Sequence, residues 1–383
     1  MSTTDLYDLS PALRLMLMGL VVAMGPLAWV WLRNRSTPAA QRLRLLTLVT
    51  LFLTFDLVIF GAFTRLTDSG LGCPDWPGCY GHASPVGAKM YIEQAQTAMP
   101  SGPVTHSKAW IEMIHRYLAT GVGVMILTLC ISSWLERNRT QISPWWPTLT
   151  LVWVCIQGAF GALTVTMKLF PAIVTFHLLG GMVLLALLKI QAVRYAQAQG
   201  EQSPIPLFSA TRQLMLWTFG LLWLQIALGG WVSTNYAVLA CTDFPTCQSS
   251  FWPAMDFRQG FTFWRELGSA GNGENISFQA LTAIHYVHRL AAYLVVAALL
   301  ALSLKLHRLR PMRIQARWLG GLALLQVATG LGNVLLGWPL LAAVMHTGGA
   351  AALVVVMTGI VCSSRSAFDT VSASKLSASR LSA

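Results

Sequence analysis

Apolar positions in this chain neither alternate nor mark a single helical face; they run almost unbroken for about twenty residues at a time. Nine such runs stand out, at 11–32, 43–65, 109–134, 146–167, 170–193, 212–234, 280–304, 316–337 and 339–362. Each is long enough to cross a hydrocarbon core of about 30 Å as a helix. A helix also satisfies its own backbone hydrogen bonds, as a segment exposed to lipid must. The pattern predicts an all-α polytopic membrane protein. The first run is read as a retained helix and not a cleaved signal, because Asp5 and Asp8 precede it and Arg33 and Arg35 follow it.

Composition agrees with this reading. Of 383 residues, 55% are hydrophobic and 10% charged, against about 25% charged in soluble domains. The net charge of +12 is explained by topology and not by nucleic acid, for which no soluble domain or lysine-rich tail is present. Arg33, Arg35, Arg42, Arg44, Arg137, Arg139, Arg194, Arg212, Lys305, Arg308, Arg310, Arg313 and Arg317 fall in one set of connections, joined by Arg365, Lys375 and Arg380 in the tail. The alternate connections hold Lys89, Lys108, Lys168, Arg258 and Arg265 and most of the acids. The basic side is cytoplasmic, which places the N-terminus outside and the C-terminus inside.

Two outer connections are long, about 66–108 and 235–279, and each contains a C-x5-C pair: Cys73 and Cys79, then Cys241 and Cys247. Paired cysteines facing an oxidising compartment read first as disulfides, with redox-active thiols as the alternative. The pairs belong to a longer repeat. Cys73-Pro-Asp-Trp-Pro-Gly-Cys79 aligns with Cys241-Thr-Asp-Phe-Pro-Thr-Cys247 at an offset of 168 residues, and His115-Arg116 with His288-Arg289 at 173. Gln157 and His177, with Gly161 and Pro171 between them, align with Gln326 and His346, with Gly330 and Pro339 between, at 169. The expected architecture is two tandem, pseudo-symmetric four-helix bundles, 43–193 and 212–362, in the same orientation. Residues 1–42 add an extra N-terminal helix and cytoplasmic linker, and 363–383 a cytoplasmic tail.

Four of the eight histidines follow the repeat: His115, His177, His288 and His346. All lie near the outer end of a span, roughly 10 Å in at the helical rise of 1.5 Å per residue. One intramembrane histidine is most simply a packing residue. Two per bundle at matched depth suit the axial ligands of haem iron, and no third or fourth ligand recurs that would favour zinc. Glu112 lies one turn from His115, where the second bundle has His285, so only the first pair has a carboxylate beside it; proton transfer and pairing with Arg116 or Lys108 are both open to it. Arg65, Arg116 and Arg289, at the outer span ends, are read as partners for haem propionates or as residues reaching to lipid phosphates. Asp56, inside the second span, has no assigned role.

The stretch Gly61-Ala-Phe-Thr-Arg-Leu-Thr-Asp-Ser-Gly-Leu-Gly-Cys-Pro-Asp-Trp-Pro-Gly-Cys-Tyr-Gly81 resembles the signature of the haem A synthase family. So do Glu112-Met-Ile-His-Arg116, Phe176-His177 with Gly180-Gly181, His285-Tyr-Val-His-Arg289 and Met345-His-Thr-Gly-Gly349. The resemblance spans about Arg42 to Cys362, and the family plan is eight helices, to which 11–32 is an addition. It implies oxidation of the C8 methyl of haem O to the formyl of haem A for terminal oxidases. It further implies haem b on His288 and His346, haem O on His115 and His177, catalysis through Glu112, and functional roles for the four loop cysteines. Implied partners are haem O synthase, terminal oxidase assembly factors, membrane lipid and further copies of the chain. The implied home is a bacterial inner membrane, with the haem sites near the periplasmic side. A two-haem b-type electron carrier and a haem transporter are the competing functions; a carrier would favour two similar sites, ideally at opposite faces.

Overall fold

The computed structural model describes residues 10–140, 142–271 and 273–366. Asp5, Asp8, Lys375 and Arg380, with the expected tail from 367 onward, lie outside the described residues. Among those described, nine helices are long and apolar enough to cross a membrane, each over one of the nine apolar runs. The fold is all-α and polytopic. In chain order the helices are α1 (Ser10–Arg33), α2 (Ala39–Leu66), the short α3 (Lys89–Ala98), α4 (His106–Leu135), α5 (Trp145–Thr166), α6 (Pro171–Ala198), α7 (Ser209–Thr234), the one-turn α8 (Phe257–Gly260), α9 (Phe278–His307), α10 (Arg313–Leu335) and α11 (Leu340–Cys362).

Local chemistry sets the helix starts. Thr105 caps α4 by accepting from the Lys108 N–H at 3.3 Å, and Ser277 caps α9 by accepting from that of Ala280 at 3.2 Å. Pro171 opens α6 at its first turn, where its missing N–H is no loss. The tight turn from α5 to α6 takes left-handed backbone at Lys168 and Leu169. The turn from α10 to α11 does the same at Gly337 and Trp338.

α2, α4, α5 and α6 pack around one another, as do α7, α9, α10 and α11; α2 and α6 meet α7 and α11 between the two sets. One buried apolar cluster runs through both sets, including Leu46, Met125, Leu185, Leu222, Leu299 and Val354. Two short parallel strands, β1 (Ile205–Leu207) and β2 (Ser364–Ser366), tie the central linker to the end of α11 in the register Ile205 to Ser364.

α1 lies along α4 and makes a smaller contact with α2. The crossing is close: a methyl built on Gly19 would collide with Thr120, and one on Gly121 would come within 2.9 Å of Val22. Near the start of α1, Leu15 joins the apolar cluster of Cys73, Cys79, Ile92, Ala109, Met113 and Tyr117. By the repeat, Tyr286, Leu290 and Tyr293 of α9 correspond to Met113, Tyr117 and Thr120. There, no helix among the described residues takes the place of α1, and a recess of about 270 Å³ opens between these residues, Pro245, Phe251 and Arg289.

At the junction of the two sets, repeat-equivalent residues touch each other. Arg65 Nη2 donates to the Ser233 carbonyl at 2.5 Å, and the Tyr236 hydroxyl donates to Asp68 at 2.8 Å. Each pair is 168 residues apart, the offset of the cysteine motifs. Contact between equivalent positions is what a pseudo-twofold axis produces.

Candidate functional site: two imidazole pairs under disulfide loops

Both C-x5-C pairs are disulfides, Cys73–Cys79 and Cys241–Cys247, and the loops around them share one construction. Asp75 accepts from the backbone N–H groups of Tyr80 and Gly81 at 2.6 and 2.7 Å, while Asp243 accepts from those of Gln248 and Ser249 at 2.8 and 2.9 Å. Tyr80, Gln248 and Ser249 adopt left-handed backbone, and the aspartate bonds hold the chain in it. The Thr246 hydroxyl and these N–H groups keep the Asp243 carboxyl below its ordinary range.

An arginine on the helix beneath fastens each loop. Arg116 Nη1 donates to the carbonyls of Asp75 and Pro77 at 3.0 and 3.1 Å, and to that of Gly78. Arg289 donates to the carbonyls of Thr246 at 2.9 Å and Cys241 at 3.0 Å. Both side chains are buried and occupied as loop clamps. Arg65, the third arginine considered for haem propionates, lies 3.9 Å from the Tyr236 ring at the junction.

Glu112 joins the first loop to the first histidine pair. It is 4% exposed, and its two oxygens have different partners: Oε2 accepts from the Cys73 N–H at 2.8 Å, Oε1 from Arg116 Nη2 at 2.5 Å. Thr105 fills the capping position, and no bond joins Glu112 to Lys108, whose amine reaches the Gly102 carbonyl. In the second set His285 holds the Ala237 carbonyl through Nδ1 at 3.1 Å.

The four histidines share a seat. Each presents ring atom Cε1 to a glycine on a neighbouring helix: His115 to Gly61 of α2, His177 to Gly161 of α5, His288 to Gly229 of α7 and His346 to Gly330 of α10. A methyl on those glycines would lie 3.1, 3.4, 3.0 and 3.4 Å from Cε1, in that order. Within each pair the rings are near enough for a charge on one to act on the other. The repeated glutamines close the other side: Gln157 lies across Gly180 and Gln326 across Gly349, leaving no room for a side chain at either glycine. Among the described residues no group of three or more His, Cys, Asp or Glu side chains could hold a bare metal ion. Isolated imidazole pairs instead suit a metal that brings its own equatorial ligands, as haem does.

The pairs differ in their polar support, which sequence reading did not find. His346 Nδ1 lies 2.9 Å from Thr329 Oγ1, and His288 Nδ1 lies 3.1 Å from the Gln225 amide. Nδ1 of both His115 and His177 is buried without a partner. The repeat offsets place Leu57 and Phe160 where the second set has Gln225 and Thr329. Such a signal was available only by comparing the two halves position by position.

Among the described residues, nine helices long and apolar enough to cross a membrane surround two half-buried imidazole pairs, the plan of a polytopic membrane protein. The chain belongs to the COX15-CtaA family, described as cytochrome oxidase assembly protein, whose model matches residues 44–358; α1 precedes the match. It is 37% identical over 313 residues to the protein named heme A synthase of Shewanella oneidensis, covering 82% of this chain and 93% of that relative. Heme A synthases of Mesorhizobium japonicum, at 27% identity over 78% of this chain and 84% of theirs, and of Caulobacter vibrioides, at 26% over 85% and 95%, are also similar.

Proposed function

We propose that the chain makes haem A by oxidising the C8 methyl of haem O to a formyl group, for use by terminal oxidases. Residues 43–193 receive haem O between His115 and His177, and residues 212–362 hold haem b between His288 and His346. The iron porphyrin supplies the chemistry of oxidising an unactivated methyl carbon. The protein's own residues orient the substrate, exclude water and handle protons. Turning the methyl into a formyl group removes four electrons and adds one oxygen. Two successive oxidations, with oxygen from water and electrons to an external acceptor or with dioxygen and an electron donor, give a gem-diol that loses water to become the aldehyde. Glu112, one turn from His115 and sealed beneath the first loop, is the group positioned to exchange protons there.

The observation that carries this reading is the duplicated seat: four imidazoles, each with Cε1 against a glycine, in two separate pairs, with Glu112 one helical turn from His115 and bonded to the first loop. A simple electron carrier has no need of that carboxylate. The positive-inside pattern of the sequence supports a periplasmic position for both pairs in a bacterial inner membrane. Haem O synthase, assembly factors of the oxidase and further copies of this chain are the proposed partners.

Pigment extraction from cells with and without the gene tests the proposal. Formyl haem should appear only with the gene. Unchanged haem types would replace the enzyme reading with that of a carrier or transporter.

A further inference from the structure

The unequal support of the two imidazole pairs points to different tasks. An imidazole that gives Nε2 to iron carries its proton on Nδ1, and a buried Nδ1–H needs an acceptor. Thr329 is arranged to be one. Its hydroxyl proton goes to the Leu325 carbonyl at 2.8 Å, one turn back in α10, which leaves an oxygen lone pair for His346 Nδ1–H at 2.9 Å. Gln225 reaches from α7 to His288, its amide nitrogen 3.1 Å from Nδ1 and 3.2 Å from the His288 carbonyl. The same nitrogen lies 3.4 Å from His288 Nε2. The amide oxygen is buried and has no partner; once iron holds Nε2, a half-turn of the amide would offer that oxygen to Nδ1–H in exchange for the bond to the His288 carbonyl. Leu57 and Phe160, at the equivalent places around His115 and His177, carry no polar group; His115 Nδ1 is unpartnered, and His177 has only the Gln157 backbone carbonyl near it, with no side-chain partner.

We propose that Gln225 and Thr329 are positioning residues that fix the protonation and orientation of His288 and His346, making the second pair a permanent holder of iron porphyrin. The first pair, lacking them, releases its porphyrin, as a site that must discharge a product requires. The inference rests on the reading above that both pairs bind iron porphyrins. It adds which residues separate retention from exchange.

The test uses the purified full-length protein carrying haem. Gln225→Leu and Thr329→Val are compared with the unaltered chain for haem loss to excess apomyoglobin and for midpoint potential. Each variant should lose haem at least ten-fold faster. Each should also show a raised potential, because a hydrogen-bonded Nδ1–H makes the imidazole a stronger donor that favours ferric iron. Thr329→Ser should restore both values, which a merely space-filling role for Thr329 would not produce. Conversely, Leu57→Gln with Phe160→Thr should slow porphyrin loss from the first pair.

Variants that keep haem and match the unaltered protein in both measurements would overturn the inference while leaving the proposed function standing. An unaltered protein that binds no haem would remove the functional reading and this inference together. Gln225 and Thr329 sit on different helices, so one variant that fails to fold leaves the other decisive.

Discussion

The backbone N–H of Cys73 donates to Glu112 Oε2 at 2.8 Å, so the carboxylate one helical turn from His115 is bonded to the backbone of a disulfide cysteine. Arg116 completes the triangle, holding Glu112 with Nη2 and the loop with Nη1. Moving any one of the three disturbs the other two.

Substitution of Glu112 separates charge from shape. Glu112→Gln keeps an acceptor for the Cys73 N–H but removes the charge facing Arg116, whereas Glu112→Ala removes both. Breaking a buried pair from one side costs about 3–5 kcal/mol, so the alanine variant should show lower thermal stability, with the glutamine variant closer to the parent. Both should lower formyl-haem production by about 100-fold or more if the carboxylate moves protons. The visible spectrum of haem on His288 and His346 should not change. Normal haem A production by the glutamine variant would exclude Glu112 from proton transfer.

The glycine seats predict an asymmetric result from one kind of substitution. Alanine at Gly61 or Gly229 places a methyl 3.1 or 3.0 Å from an imidazole carbon, so the ring must shift away from the position that aligns it with its partner. Alanine at Gly161 or Gly330 meets its ring at 3.4 Å, an ordinary contact, and gains up to about 1 kcal/mol of helix stability. Titration with haem should therefore show weakened binding in Gly229→Ala and near-normal binding in Gly330→Ala. Equal effects at the two positions would mean that the glycines serve helix packing alone.

Much of this was legible in the sequence, because span assignment needs only long apolar runs and charge asymmetry. The nine runs therefore each fall on a long helix among the described residues, with ends that differ by up to five residues. The C-x5-C motifs pointed first to disulfides, with redox-active thiols as the alternative, and both pairs are bonded. Gln225 and Thr329 were not legible, because one amide or hydroxyl in an apolar helix satisfies itself on its own backbone as readily as it serves a ligand. Thr47, Thr50 and Thr54 of α2 do the former, each bonding a carbonyl four residues back. Arg116 and Arg289 illustrate a second limit: their position at a span end suggested haem propionates or lipid phosphates as partners and gave no sign of the loop carbonyls they hold, some forty residues away in sequence. Asp56 is exposed on α2, and nothing in the structure explains it.

Acid should loosen the second loop only at low pH. Asp243 is held below its ordinary value, 3.8, chiefly by the Thr246 hydroxyl and then by the N–H groups of Ser249 and Gln248. A depressed carboxyl contributes stability that is complete above the unfolded pKa and disappears as pH falls through the lower folded value. Protection factors across residues 241–250, exchange rates divided by the intrinsic rate at each pH, should thus stay constant from pH 7 to about 4 and fall below it. Asp243→Asn should show lower protection already at neutral pH. Loss of protection between pH 7 and 5 would assign the loop's stability to another group.

α1 supplies the last prediction, since it lies before the matched family region yet reaches the site. Leu15 is 7% exposed within the cluster around Cys73 and Cys79, and Gly19 permits the crossing that puts it there. A leucine at Gly19 would collide with Thr120 and force α1 off α4, withdrawing Leu15 from the loop. The second disulfide has no such cover; its buried neighbours are Tyr286 and, in part, Met255. Under limiting reductant, Gly19→Leu should expose Cys73 and Cys79 to a membrane-impermeant maleimide faster than in the parent, while labelling of Cys241 and Cys247 stays the same. The second loop is then an internal control within the same molecule. Equal acceleration of both loops would show general loosening of the protein, and no acceleration of either would show that the family core holds its first loop without α1.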